Sequence, residues 1–256
     1  MSHLIRENGP NIQSNQRKCE FDYCRIRKES WVSYLINDEF SIHVGFSVNS
    51  SIVLNAVNET NLFLQGLPES LFRSIDFKTT GSVIGAIFSD KLATNIPNAM
   101  VNPIEKGHPD IIPASAVTAS EESLRNYPEG LEIKGTIGNI RQGANLRAGK
   151  KRISELTGIT WQAHHREVHQ LMGFLWDFNN NNNGFLFPML VGVFFSDNLT
   201  PDDWGEISGT TGRNTKVCGM LKSGKEKMGK GWIALLNQED YLRKLGSYLF
   251  LSHSAK

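Results

Sequence analysis

The chain has 256 residues, of which 39% are apolar and 21% charged, with a formal net charge of +1. That length suits one large domain with an ample core, and the composition is ordinary for a soluble globular protein. No apolar run reaches the length of a membrane span and no signal peptide opens the chain, so a membrane partner is not expected.

Cys19, Cys24 and Cys218 make an odd count without metal-ligand spacing. Free thiols in a reducing cytoplasm are the expectation. The near-zero net charge hides an uneven distribution. Residues 134–152 hold six basic side chains and no acidic one, and residues 213–230 hold six against a single Glu. A basic patch on an otherwise neutral chain is a candidate electrostatic footprint for nucleic acid.

In chain order, residues 1–16 read as a flexible polar tail and residues 17–256 as one domain. Arg17 to Lys28, with Phe21, Tyr23 and Ile26 interleaved, predicts an amphipathic helix continuing through Trp31, Tyr34 and Leu35. Ser41 to Val48 predicts a strand. Asn58 to Arg73 predicts a helix broken at Gly66 and Pro68. Thr80 to Thr94 predicts a helix with Val83, Ile84, Ile87, Phe88 and Leu92 on one face. Thr79 or Thr80 would cap it, and Pro97 lies just past its end.

The most informative stretch follows. Gly107-His108-Pro109-Asp110-Ile111-Ile112-Pro113 and Gly130-Leu131-Glu132-Ile133-Lys134-Gly135-Thr136 each read as a short apolar strand carrying charge. A carboxylate in such a place requires a partner or a metal, because burying an unpaired charge is costly. Alternation along a strand points Glu132 and Lys134 one way and Ile133 the other. Asp110 and Glu132, brought together, offer the oxygen ligands that suit a hard cation such as Mg²⁺. The competing reading is a Glu–Lys ion pair on a strand with an unrelated turn Asp. Between the two halves, Ala114 to Gly130 predicts a hairpin excursion returning through Pro128-Glu129-Gly130.

Residues 136–153 interleave glycines and amides with Arg and Lys. Arg141, Gln142, Asn145, Arg147, Lys150, Lys151 and Arg152 are the candidate DNA contacts, since Arg and Lys suit guanine edges and Asn and Gln suit adenine edges. The same cations also grip phosphates without reading sequence. A solvated loop is the alternative. Ser154 to Gln170 predicts a helix bearing His165 and His169 four residues apart. The zinc-protease pattern fails there, because Arg166 follows the first His where Glu is required.

Leu171–Phe178 and Pro188–Ser196 predict strands, joined by an exposed loop at Asn179 to Asn183. Gly219 to Glu226 has the glycine and lysine spacing of a phosphate-binding loop. Glu226 stands where Ser or Thr belongs, and Gly229 and Gly231 oppose the required helix, so no nucleotide cofactor is expected. Trp232–Asn237 predicts a strand and Gln238–Leu249 a closing helix.

Pro109-Asp110 and Glu132-Ile133-Lys134, separated by 21 residues between the Asp and the Glu, resemble the PD-(D/E)XK nuclease superfamily. Among its members the likeness is to the type II restriction endonucleases. It covers about residues 80–195, the catalytic core, and leaves out the basic C-terminal strand and helix portion. The resemblance implies an α/β (α+β) fold with a restriction-endonuclease-like core, a central mixed β-sheet flanked by helices. It implies Mg²⁺-dependent, sequence-specific hydrolysis of phosphodiester bonds in double-stranded DNA. Asp110, Glu132 and the main-chain carbonyl of Ile133 would hold the metal, and Lys134 would orient the attacking water and stabilise charge. A homodimer is implied too, its twofold axis matching a palindromic site. The alternatives are a structure-directed DNA repair nuclease on the same core and a noncatalytic DNA-binding protein.

Overall fold

The computed structural model describes residues 24–28, 32–105, 107–141, 150–180, 186–208 and 216–248. The expected tail at 1–16 lies outside them. A mixed sheet of six strands forms the centre: β1 (Cys24–Lys28), β2 (Ser33–Asn37), β3 (Ile133–Thr136), β4 (Leu171–Asn180), β5 (Leu186–Ser196) and β6 (Trp232–Leu236). Their spatial order is β1-β2-β6-β5-β4-β3. Every neighbour pair is antiparallel except β4 with β3, which run parallel. The expected α/β class with a mixed sheet flanked by helices is therefore present.

Helices cover both faces. α1 (Ser50–Gln65), α2 (Glu69–Ser74) and α3 (Phe77–Asn95) lie on one side. α4 (Glu121–Arg125) belongs to the excursion between the motif halves. α5 (Lys222–Lys230) and α6 (Glu239–Tyr248) lie on the other side. The alternation of β4 separates the two layers. Phe174 meets Phe88, and Trp176 meets Phe77, both on α3. The intervening residues face the other way, Gly173 toward Trp161 and Met228 and Asp177 toward Tyr241. A strand buried on both faces needs apolar residues at almost every position, which is why 171–178 and 188–196 read as apolar runs.

α3 forms as expected, with Ile84, Phe88 and Leu92 buried and Val83 and Ile87 half-buried. Its cap is Asp76, whose carboxylate accepts from Thr79 N at 2.7 Å, in place of Thr79 or Thr80. An Asp one residue before the helix satisfies an otherwise orphaned N–H and suits the positive helix end. The break at Gly66 and Pro68 also holds, separating α1 from α2.

Other expectations are corrected. Tyr34 and Leu35 sit in β2, paired with β1 and β6, and not in a helix continuing from residue 17. An aromatic and an aliphatic residue in sequence fit a strand buried on both faces as well as a helix, and pairing with Ala234–Leu236 decides it. Ser41 to Val48 is two short strands, Ser41–His43 and Ser47–Asn49, folded back at Gly45 with φ of 88°. Residues 154–170 are not helical. A 3-10 turn, Ile153–Glu155, leads to short strands Leu156–Gly158 and Gln162–Ala163. Thr157, Ile159 and Thr160 are β-branched, Gly158 is a helix breaker, and fully buried Trp161 anchors the segment over Gly173.

The excursion from Ala114 holds a 3-10 turn, Ala114–Thr118, and α4, beyond a simple hairpin. Ile112, Ala116 and Leu124 give it a small core of its own. Asn179 and Asn180 extend β4, and residues 181–185 lie outside the described ones. Lys222–Lys230 is helical despite Gly229, with Gly231 ending it. That helix begins ahead of Gly224-Lys225, so the loop needed to cradle phosphate is missing there.

Asp177 ties the two layers to the basic segment. Its carboxylate accepts from Arg152 N at 2.8 Å, Ile153 N at 3.0 Å, Phe178 N at 2.7 Å and Tyr241 Oη at 2.9 Å. Burial outweighs these donors and pushes its carboxyl up to about 6. The fold then binds a proton that the unfolded chain, with the ordinary value of 3.8, has already released. Stability owed to Asp177 therefore falls as pH rises through that interval and stays level above it. Denaturant unfolding of wild type and Asp177→Asn from pH 3.5 to 7 checks this: the wild-type advantage shrinks across the interval. An advantage that grows with pH would mean that the four donors outweigh desolvation.

Candidate metal and catalytic site

Asp110 reaches Glu132 through a short ladder. The strand Ile111–Pro113 pairs with Ala99–Val101, and Ile111 exchanges two backbone hydrogen bonds with Leu131, at 3.1 and 2.8 Å. Gly130 makes the approach possible. Its φ is 138°, and a Cβ there would lie 2.2 Å from the Ile111 carbonyl oxygen, so no other residue fits. Buried Asn102 clamps the Asp110 side. Its N–H donates to Asp110 O at 2.9 Å, and its amide donates to Pro109 O at 3.2 Å and Leu124 O at 2.8 Å.

The expected convergence occurs. Asp110 Oδ2 accepts from Ile133 N at 2.7 Å. Lys134 Nζ lies 2.5 Å from Glu132 Oε1 and 3.9 Å from Asp110 Oδ2, so both carboxylates face one ammonium. Glu132 and Lys134 share a face, and Ile133 turns into the core on the other. The Glu132 carbonyl accepts from Met172 N at 2.9 Å. Peptide groups alternate along a strand, so the N–H and carbonyl of Ile133 point off the outer edge of β3, toward Asp110.

The Glu132 side chain is 10% exposed, Lys134 23% and Asp110 34%, so Glu132 forms the floor and Asp110 the rim. Burial raises the Asp110 carboxyl above its usual range, and the charge of Glu132 raises it further. Burial pushes Glu132 the same way, but hydrogen bonds from His108 and Lys134 and the Lys134 charge overcome it and hold Glu132 low. Burial alone would lower Lys134. The two carboxylates outweigh it and keep the amine protonated.

His108 was not singled out in the sequence. Its Nδ1 lies 3.2 Å from Glu132 Oε2, and its ring meets that of His165 edge-on, with centroids 6.1 Å apart. His108 stands two residues before Asp110 in the motif itself, which was the available signal. His165 comes to the site by the extended path of residues 159–169, a route that a helical reading hides. His169 goes elsewhere, with Nδ1 3.0 Å from Leu199 O.

The basic segment divides. Gln142, Asn145 and Arg147 lie outside the described residues. Arg141 and Lys150 are exposed, on either side of a base closed by Asn139–Ile140 pairing with Leu156–Gly158. Arg152 is corrected as a DNA contact: it is buried, its guanidinium 3.2 Å from Glu155 and 5.3 Å from the Phe77 ring centroid. Lys151 is drawn inward too, half-buried over the Tyr241 ring and 3.7 Å from Asp240. Runs of charge in sequence do not reveal which cations a fold takes for itself.

Among the described residues no group of three or more His, Cys, Asp or Glu side chains is arranged to hold a metal ion. Two carboxylates and an edge carbonyl remain, an all-oxygen set that suits Mg²⁺, which keeps several waters. Among the described residues no helix is long and apolar enough to cross a membrane. No family model, curated protein or solved structure matches the chain.

Lys134→Met leaves two largely buried carboxylates facing each other without their cation. It is expected to lower stability at pH 7 by about 2 kcal/mol, discounted from a fully buried pair for partial exposure. Glu132 is held low, so what it contributes is present above the ordinary carboxylate range and lost as pH falls. The cost of Lys134→Met should therefore shrink on acidification below pH 4, as read by urea unfolding. A cost that does not change with pH would contradict the coupling.

Proposed function

We propose that the protein is a Mg²⁺-dependent endodeoxyribonuclease that cuts double-stranded DNA at a defined sequence as a homodimer, in the manner of a type II restriction enzyme. The observation that carries this is the convergence of Asp110 and Glu132 on Lys134 at the outer edge of the sheet. Replacing a buried ion pair by apolar residues is often neutral or stabilising, so a fold gains little by keeping three charges here. A metal-dependent phosphodiester-cleaving site has a use for all three.

In this reading Asp110 and Glu132 hold the cation, and the outward carbonyl of Ile133 is available to it. Bound Mg²⁺ supplies a polarised phosphoryl oxygen and a more acidic water. Lys134 keeps its proton and offers a fixed positive charge where the non-bridging phosphoryl oxygens gain negative charge as water adds. Ile133 N–H holds one oxygen of Asp110 and so fixes the direction of the other. Arg141 and Lys150, exposed at the base of the basic segment, lie on the stretch that follows β3 and would contact the phosphate backbone.

Incubating the protein with a long DNA of known sequence tests the reading. Discrete fragments with Mg²⁺ and none with EDTA are expected. Glu132→Ala should retain DNA binding and lose cutting, and Lys134→Ala should slow it by about 10²–10³-fold. A Mg²⁺-dependent smear would point to a nuclease directed by DNA structure. Intact DNA under all conditions would leave a noncatalytic binding protein and overturn the proposal.

A further inference from the structure

We infer that His108 is a positioning residue of this site, holding the Glu132 carboxylate in the orientation that receives the cation. The inference rests on the metal-site reading above and adds a residue to it. Glu132 is gripped from both ends, Oε1 by Lys134 Nζ at 2.5 Å and Oε2 by His108 Nδ1 at 3.2 Å. A side chain with three rotatable bonds is thereby fixed in plane and direction. One hydrogen bond on each oxygen leaves a lone pair on each for a metal ion.

His108 is itself held. Its N–H donates to Arg125 O at 3.1 Å, and its carbonyl accepts from Tyr127 N at 2.7 Å. The His165 ring stands against it at an interplanar angle of 88°. Both backbone contacts come from the excursion between the motif halves, at and just beyond the end of α4. That gives the excursion a purpose: its small core of Ile112, Ala116 and Leu124 keeps Arg125 and Tyr127 where they fix His108. Groups that orient a metal ligand from behind are worth about 10–100-fold in metal affinity.

The test uses full-length protein without DNA, titrated with Mn²⁺ while free Mn²⁺ is read by electron paramagnetic resonance. His108→Ala should weaken Mn²⁺ binding at least about tenfold. His108→Asn places an amide N–H near the position of Nδ1 and should recover most of the affinity. Thermal unfolding of each variant confirms that the measured protein is folded. Wild-type affinity in His108→Ala would overturn the inference and leave the metal site standing. So would His108→Asn as weak as His108→Ala, since the imidazole would then act other than through Nδ1. Wild type that takes up no Mn²⁺ would remove the metal-site reading itself, and this inference with it.

Discussion

The negative charge of Glu132 is the constraint on which this edge of the sheet depends. A carboxylate withdrawn from water costs several kcal/mol unless charge and hydrogen bonds are returned to it. Lys134 and His108 return both, one on each oxygen. Their positions then dictate much of the neighbourhood. Lys134 must stand on the same strand face, two residues on. His108 must be carried in from a segment 24 residues earlier. The Asn102 clamp, the Gly130 approach and the excursion with α4 all serve that delivery.

Placing the group on β3 matters as much as its composition. Among the described residues β3 is the last strand of the sheet, paired within it only with β4. Its outward peptide groups are open to Asp110, whose carboxylate occupies Ile133 N–H. Edge strands otherwise offer a template for pairing with another chain, and inward charge blunts that. Here the same edge gains a pair of acidic oxygens converging on an ammonium. Farther along β4, Asp177 performs a quieter task, fastening the end of the basic segment at Arg152 and Ile153 to the core.

Strong local signals were legible in the sequence. The apolar runs of β4 and β5, the amphipathic α3 and the charged ends of residues 107–134 each carry their information in a few adjacent residues. The meeting of Asp110, Glu132 and Lys134 was legible because two short strands in order can close on each other. What was hidden depends on partners far along the chain. Tyr34 and Leu35 join a strand because Ala234 to Leu236 lie beside them. Residues 156–163 stay out of a helix because Trp161 docks over Gly173, and no spacing announces that contact. Arg152 and Lys151 looked like groove-reading cations, yet Phe77, Glu155, Tyr241 and Asp240 had already claimed them.

The measurement that tests the central claim most directly is carboxyl ¹³C NMR of the DNA-free protein during titration with Mg²⁺. The account predicts saturable shifts at Asp110 and Glu132 together, with a common midpoint. Asp177 and Asp203, held by Tyr241 and by Lys227 at 2.6 Å, should not move. Shifts confined to other carboxylates, or none at Asp110 and Glu132 at millimolar Mg²⁺, would contradict it and leave the cluster as a structural ion pair.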